Sequence, residues 1–501
     1  MVEELVTSWK KTSRFSMKVS PSPLSSQAPI KHHRPMRIKL ALALWTLWTL
    51  WTFQPTASSL QPSLQPPAPS LQPPLSAQSE MPLILSMRQR AEVRDQWTQI
   101  RLQRLVPELM RREGIDLWLI LCREYNEDPL FRTMAPATWV SARRRTVLMF
   151  YDPGPGKQLE RLAVSRYNIG ELFEGVWEPE KEPDQFKRLA ELIQQRNPAK
   201  IALSRSKTFG LADGLSETGY SALMAALPEK YRQRVVSAER LNIGWLERRI
   251  AEEMEVYPAI CRIAHRIIAE GLSDQVIQPG VTSTADVQWW YRERIRELKL
   301  TTWFHPSVSV QDSRPEEHSG SFSSRPGERL IRPGDLIHVD FGITYLGLNT
   351  DTQQHAYVLR PSESQAPEGL RKAMRTGNRL QDILTSQFRT GLTGNQILAA
   401  ALEQARQEGI EAVIYTHPIG FHGHGAGPAI GMWDKQGGVP GRGDYPLFAD
   451  TAYSIELNAS VPVPEWEGKK VRIMLEEDAF FDGQKVWYID GRQTDLLLVG
   501  R

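Results

Sequence analysis

Apolar residues recur at helical spacing through Ile100, Leu102, Leu105 and Leu109, run into Gly114, and give way to an unbroken apolar stretch ending at Cys122. The first pattern predicts a helix closed by a glycine, and the second a buried strand over residues 116–122. Residues 146–151 and 200–203 read as further strands, with a helix over 184–195 between them. This alternation predicts an α/β domain over 81–240, and no cluster of catalytic residue types falls in it, so it reads as a supporting or substrate-gating domain. A second domain over 241–501 opens with a long helical segment, about 245–272, where Pro258 marks a kink or a break.

Two stretches then echo each other. Gly280-Val-Thr-Ser-Thr-Ala-Asp and Gly391-Leu-Thr-Gly-Asn-Gln each open a helix, ending near Leu298 and Gly409, and each helix is followed by a strand-like run and a His-Pro pair, His305-Pro306 and His417-Pro418. The offsets are 111 and 112 residues. A solenoid repeat is far shorter, so the echo predicts two related halves of one domain, with room for a site between them.

Ahead of these domains the pattern is different. Met36-Arg37-Ile38-Lys39 precedes an apolar run from Leu40 to Phe53 and a small-residue stretch, which is the layout of an export signal within a leader of residues 1–58, with Met36 as a candidate start. The run is shorter than the roughly 20 residues of a spanning helix, so no stable membrane span is expected, and an uncleaved signal would act as a tether. Residues 59–80 repeat Ser-Leu-Gln-Pro with extra prolines and predict an extended linker without a core.

Charge changes the picture once the leader is set aside. The whole chain carries a formal +3, but residues 1–57 hold eight Lys/Arg against Glu3 and Glu4, which leaves the remainder at −3. A mildly acidic body with no basic stripe in its sequence argues against nucleic-acid binding. Two cysteines, Cys122 and Cys261, exclude a disulfide framework and read as buried thiols. Arg442-Gly-Asp444 is a three-residue match expected by chance, and Trp289-Trp290 reads as core or helix face.

The candidate chemistry lies in the second domain. Residues 337–342, Ile-His-Val-Asp-Phe-Gly, read as a buried strand that carries Asp340, and Asp351 follows after a length that suits a strand, a tight turn near Gly347 and a return strand. A hairpin would bring the two carboxylates together, where they repel unless a cation lies between them. Residues 417–428 hold His417, His422 and His424 among glycines, and Glu456 and Glu476 each end an apolar strand-like run. Two Asp, two Glu and an imidazole suit hard or borderline divalent ions better than a structural zinc.

Asp, eleven positions, Asp, then His-Gly-x-Gly, then two strand glutamates resembles the superfamily of methionine aminopeptidase, aminopeptidase P, prolidase and creatinase. The resemblance covers about residues 245–501, closest to the Xaa-Pro aminopeptidase branch. It implies a pita-bread domain with pseudo-twofold halves, preceded by a smaller creatinase-type α/β domain. It further implies two divalent ions (Mn, Zn or Co) held by Asp340, Asp351, His424, Glu456 and Glu476, with Asp351 and Glu476 bridging. His422 also fits His-Gly-x-Gly, as His422-Gly-His-Gly425, but His424 has the better glycine context. His318 falls where the family places a histidine on the substrate.

Three positions depart from the pattern. A second family histidine follows the ligand by seven, and residue 431 is Gly431; Thr352-Gln-Gln-His355 stands where relatives have an Arg-Thr pair; and Glu477 competes with Glu476. The implied activity is removal of residues from the N-terminus of short peptides, proline-containing ones foremost. Glu456 would move the proton of an activated water, and His318 with His417 or His422 would stabilise the carbonyl oxygen. The alternatives are a metal- or peptide-binding member without turnover and a creatinase-like hydrolase of a small C–N substrate. Relatives with this domain pair imply a homodimer.

Overall fold

The computed structural model describes residues 81–314 and 327–500. The expected export signal, the expected Pro-rich linker and His318 lie outside the described residues.

The chain enters through α1 (Met87–Glu113), which Ser86 opens with a capping box to Gln89 and Gly114 closes in the left-handed conformation. β1 (Leu117–Arg123), β2 (Arg145–Tyr151), β3 (Glu160–Val164), β4 (Glu174–Gly175), β5 (Ile201–Leu203) and β6 (Val235–Ser237) form a six-stranded sheet in the order β4-β3-β2-β1-β5-β6. β1 is buried along six of its seven positions because both of its faces are covered, as its continuous apolar run requires. α2 (Gln185–Arg196), capped by Asp184, and α3 (Glu217–Ala226) flank the sheet.

The expected long helix over 245–272 is three pieces. α4 (Glu239–Glu247) runs across the expected 240/241 boundary and packs Leu241, Ile243 and Trp245 into the core beside β1. A single turn (Ala251–Met254) and α5 (Tyr257–Gly271) follow. Pro258 marks the second break, between that single turn and α5: it sits in the first turn of α5, where its missing N–H has no helical partner to lose. The first break lies at Arg248, which bridges to Thr451.

The echoed segments become α6 (Thr284–Glu297) and, after the intervening strands, a later helix of equal length. β7 (Ser307–Gln311), β8 (Leu336–Phe341), β9 (Thr344–Tyr345), β10 (Leu348–Asn349) and β11 (Thr352–Val358) come next, then α7 (Glu368–Ser386) and α8 (Gly394–Gln407). α6 and α8 each have 14 residues and a capping box, from Ser283 with Asp286 and from Thr393 with Gln396. The second half continues with β12 (Glu411–Ile414), β13 (His417–Pro418), β14 (Thr451–Ser454), β15 (Leu457–Pro462), β16 (Lys470–Leu475), β17 (Asp478–Phe481), β18 (Val486–Tyr488) and β19 (Leu497–Val499). β7-β8-β11-β19 form one sheet and β13-β14-β17-β18 another, and an antiparallel bridge between Gln353 and Glu476 ties the two halves together. Among the described residues no helix is long and apolar enough to cross a membrane.

One buried cation fixes the junction with the N-terminal sheet. Arg101 of α1, 1% exposed, donates to Arg248 O at 2.7 Å, to Trp245 O and to both oxygens of Glu253 at 3.1 Å. Its guanidinium and that of Arg249 lie 4.7 and 4.6 Å from the ring centre of Phe421. Cation–π contact in a desolvated setting thus holds the loop that carries the three histidines.

Candidate metal centre

The β8–β11 hairpin explains the spacing of the two aspartates. The turn forms at Leu346-Gly347, both with positive φ (55° and 82°), as a two-residue connection between β9 and β10 demands. β11 pairs with β8 so that Gln353 stands opposite Asp340, and Asp351 lies two positions before Gln353. Opposed residues and residues two apart share a face, so Asp340, Gln353 and Asp351 converge. The Asp351 N–H donates to the Asp478 carboxylate at 3.3 Å, which fixes the start of β11.

The second half supplies the rest. His417, Ser454 and Asp478 form one row across β13, β14 and β17. Glu476 and Glu477 are neighbours in extended backbone and therefore face opposite ways. Glu476 accepts from Ser454 Oγ at 2.7 Å and Gln353 Nε2 at 2.7 Å, whereas Glu477 pairs with His265 at 2.7 Å and accepts from Gln354 and Gln493. The parity of the strand removes Glu477 as a competitor. Burial opposes charge on His265, but Glu477 and Asp490 flank it and raise it to about 10, making a buried ionic group behind the cluster.

Three groups of potential ligand atoms result, each within 4.8 Å: Asp340, Asp351 and Glu476; His417, Glu456 and Glu476; and Asp351, His417 and His424. Glu476 belongs to the two that hold most carboxylates. His417 Nε2 lies 3.2 Å from Glu476 Oε1, 3.6 Å from Asp351 Oδ2 and 3.9 Å from Glu456 Oε2. His424 is exposed at the mouth, its ring 4.6 Å from that of His417 and 5.0 Å from that of Trp303. His422 enters none of these groups.

His424, the expected imidazole ligand, offers a ligand atom beside Asp351 and His417, and His417 is the imidazole that lies among the carboxylates. His417 and His424 are themselves seven residues apart. Gly431 could not carry the second histidine, because a Cβ there would lie 2.0 Å from Ile414 O with φ at +79°. The glycines around His424 have packing reasons of their own: a Cβ at Gly423 would strike the Trp303 ring, and one at Gly425 the Pro418 carbonyl.

The electrostatics call for a cation. Burial and the charge of Glu476 push Asp340, Asp351 and Glu456 well above the usual carboxylate range. Burial also disfavours charge on Glu476, but His417, Ser454 and Gln353 hold it below its ordinary value. Burial works against charge on His417 as well, yet Glu476 and Glu456 raise it to about 8. Asp340 Oδ1 and Asp351 Oδ1 are buried without a hydrogen-bond partner among the described residues, and His417 Nε2 is buried against the Glu476 carboxylate at 3.2 Å. Such atoms are costly to bury unless something else satisfies them, and carboxylate oxygens with imidazole nitrogen are the donors divalent ions take. The residues present fit a metal site.

Sequence reasoning gave Gln353 no role. Its amide donates to both Glu456 and Glu476, and its Oε1 lies 2.8 Å from His338 Nε2, so one neutral side chain ties two like-charged groups together. The replaced family residues at 353–354 were the available hint.

Comparison with known proteins agrees with this geometry. No curated protein sequence matches the chain. Among solved structures, the X-Pro aminopeptidase of Thermotoga maritima MSB8 superposes with a TM-score of 0.55 at 18% identity, over 78% of this chain and 100% of that one. The Xaa-Pro dipeptidase of Bacillus anthracis gives 0.52 at 17%, over 80% and 99%. The N-terminal domain of FACT complex subunit SPT16 from Cicer arietinum gives 0.51 at 9%, over 81% and 99%, so one fold serves proteins of quite different description. Residues 257–479, which hold all six residues of these groups, match metallopeptidase family M24. With the pita-bread fold around them, these residues make the domain similar to metallopeptidase family M24.

Proposed function

We propose that the protein is an exopeptidase of the Xaa-Pro aminopeptidase or dipeptidase type that works with two divalent ions. Asp340, Asp351 and Glu476 would hold one ion, and His417, Glu456 and Glu476 the other, with Asp351 near both. The observation that carries this reading is the convergence of five ligand side chains from both halves, with Asp340 Oδ1 and Asp351 Oδ1 buried without a hydrogen-bond partner among the described residues.

Ions held there would acidify a water and polarise a peptide carbonyl. The chain's own residues do the rest. Glu456, tethered by Gln353, takes a proton at its carboxylate and delivers it to the leaving amine. His424, exposed beside His417, faces the entering carbonyl and donates to it. Trp303, whose indole donates to Thr350 O at 3.1 Å, walls the mouth and keeps His424 in place.

The test is metal stoichiometry of the full chain alongside hydrolysis of a panel of Xaa-Pro peptides by metal-loaded protein. The expected outcome is two ions per chain and release of the N-terminal residue or dipeptide. Two ions with no cleavage of any peptide would make it a binding member of the fold, and fewer than two would overturn the dinuclear site.

A further inference from the structure

A second site lies at the opposite chemical extreme. β1 ends at Arg123 and β2 begins at Arg145, and the antiparallel register sets these two residues directly opposite each other. Like charges in that position destabilise a sheet. Arg143 and Arg144 immediately precede β2, and Arg166 follows the end of β3. All five arginines are exposed and line one cleft of about 990 Å³.

Four of the five have no carboxylate within ion-pair distance among the described residues; only Arg166 has one, the exposed Glu180 at 2.7 Å. Elsewhere surface arginines of this chain do find acids, as Arg104 does with Glu252, Arg240 with Glu113 and Arg379 with Glu408. The sequence outside the leader is net negative, so the concentration of positive charge is local. Glu124 is the one acid in the lining.

The cleft is built rather than incidental. The Arg145 guanidinium lies 4.6 Å from the ring centre of Phe186, and that of Arg143 5.4 Å from that of Trp139, contacts that orient the groups without neutralising them. Arg144 adopts φ 52°, a conformation rare for a residue with a side chain, while its carbonyl accepts from Glu124 N at 2.6 Å. Gln185, 5% exposed, donates to Arg145 O at 3.0 Å and Val164 O at 2.6 Å and so joins the cleft ends of β2 and β3. β1 and β3 run in the same direction, both antiparallel to β2, and their C-terminal ends open onto the cleft. The strand order also turns back at β1, with β2 to β4 on one side and β5 and β6 on the other.

Guanidinium groups pair in bidentate fashion with phosphate and carboxylate, and a concave space of this volume suits a small organic molecule. We propose that this cleft binds a small multivalent anion carrying at least two phosphate or carboxylate groups. The site shares no residue with the metal centre and does not depend on the peptidase reading.

Calorimetry on the full-length protein tests it, with glucose 1,6-bisphosphate as the phosphate probe, tricarballylate as the carboxylate probe and glucose 6-phosphate as the monovalent control. At least one multivalent probe should bind at least about tenfold more tightly than the control, and Arg143→Gln/Arg145→Gln should weaken it by about tenfold for each guanidinium removed. Arg104→Gln, outside the cleft, should leave binding unchanged. Which probe binds identifies the anionic group. The proposal is overturned if neither multivalent probe binds at millimolar concentration, if the monophosphate binds equally well, or if the double variant binds as the parent does.

Discussion

His305-Pro306 and His417-Pro418 stand at corresponding places in the two halves of the pita-bread domain. Each follows a 14-residue helix opened by a capping box, and the glycines ahead of those helices, Gly280 and Gly391, both adopt positive φ. The outcomes differ. His305 precedes β7, is exposed, and rests against the exposed Trp289 with ring centres 5.2 Å apart. His417 is itself in a strand, is buried, and has three carboxylates within 4 Å. A repeat of local structure carries no function with it; the half that acquires chemistry is the one whose histidine is enclosed by acids from both halves.

Substitutions can break or sharpen this contrast. The largest effect is expected from His417→Ala, which should lose bound metal and reduce peptidase activity to background, while His424→Ala should keep the metal and lose mainly kcat. Equal metal content in the two variants, read by elemental analysis, would contradict the assignment of His417 to the cluster.

Gln353→Ala comes next. Removing the amide that joins Glu456 to Glu476 should cut metal affinity or kcat/KM by about 10- to 100-fold, the range for residues that support metal ligands from behind. A metal titration matching the parent would show that the carboxylates hold their places without it. The smallest effect is expected from His305→Ala, with metal content unchanged and stability within about 0.5 kcal/mol of the parent by denaturant titration. Loss of metal in that variant would mean that the two halves are coupled through more than the backbone bridge at Gln353 and Glu476.

Much of this was legible before any coordinates. The apolar run of β1, the Asp184-capped α2 and the hairpin turning at Gly347 each follow from local rules of period, capping and turn chemistry. So does the acid set, because two strand aspartates and two strand-end glutamates are costly to bury without a counter-charge. The break at Pro258 was legible because proline suits the first turn of a helix, whereas the earlier break at Arg248 carries no such mark. Burial of Arg101 against Glu253, 152 residues away, has no local trace at all.

The sequence alone determined the periodicity of the elements, the supply of ligand-bearing residues and, through their order and spacing, the resemblance to a metallopeptidase superfamily. Tertiary structure decided which of three histidines enters the carboxylates, which of two adjacent glutamates faces them, and that Gln353 ties Glu456 to Glu476. Period and capping act over a few neighbouring residues and can be read along the chain. Ligand geometry depends on strand parity, on cross-strand register and on contacts between distant segments, all fixed only when the two halves pack.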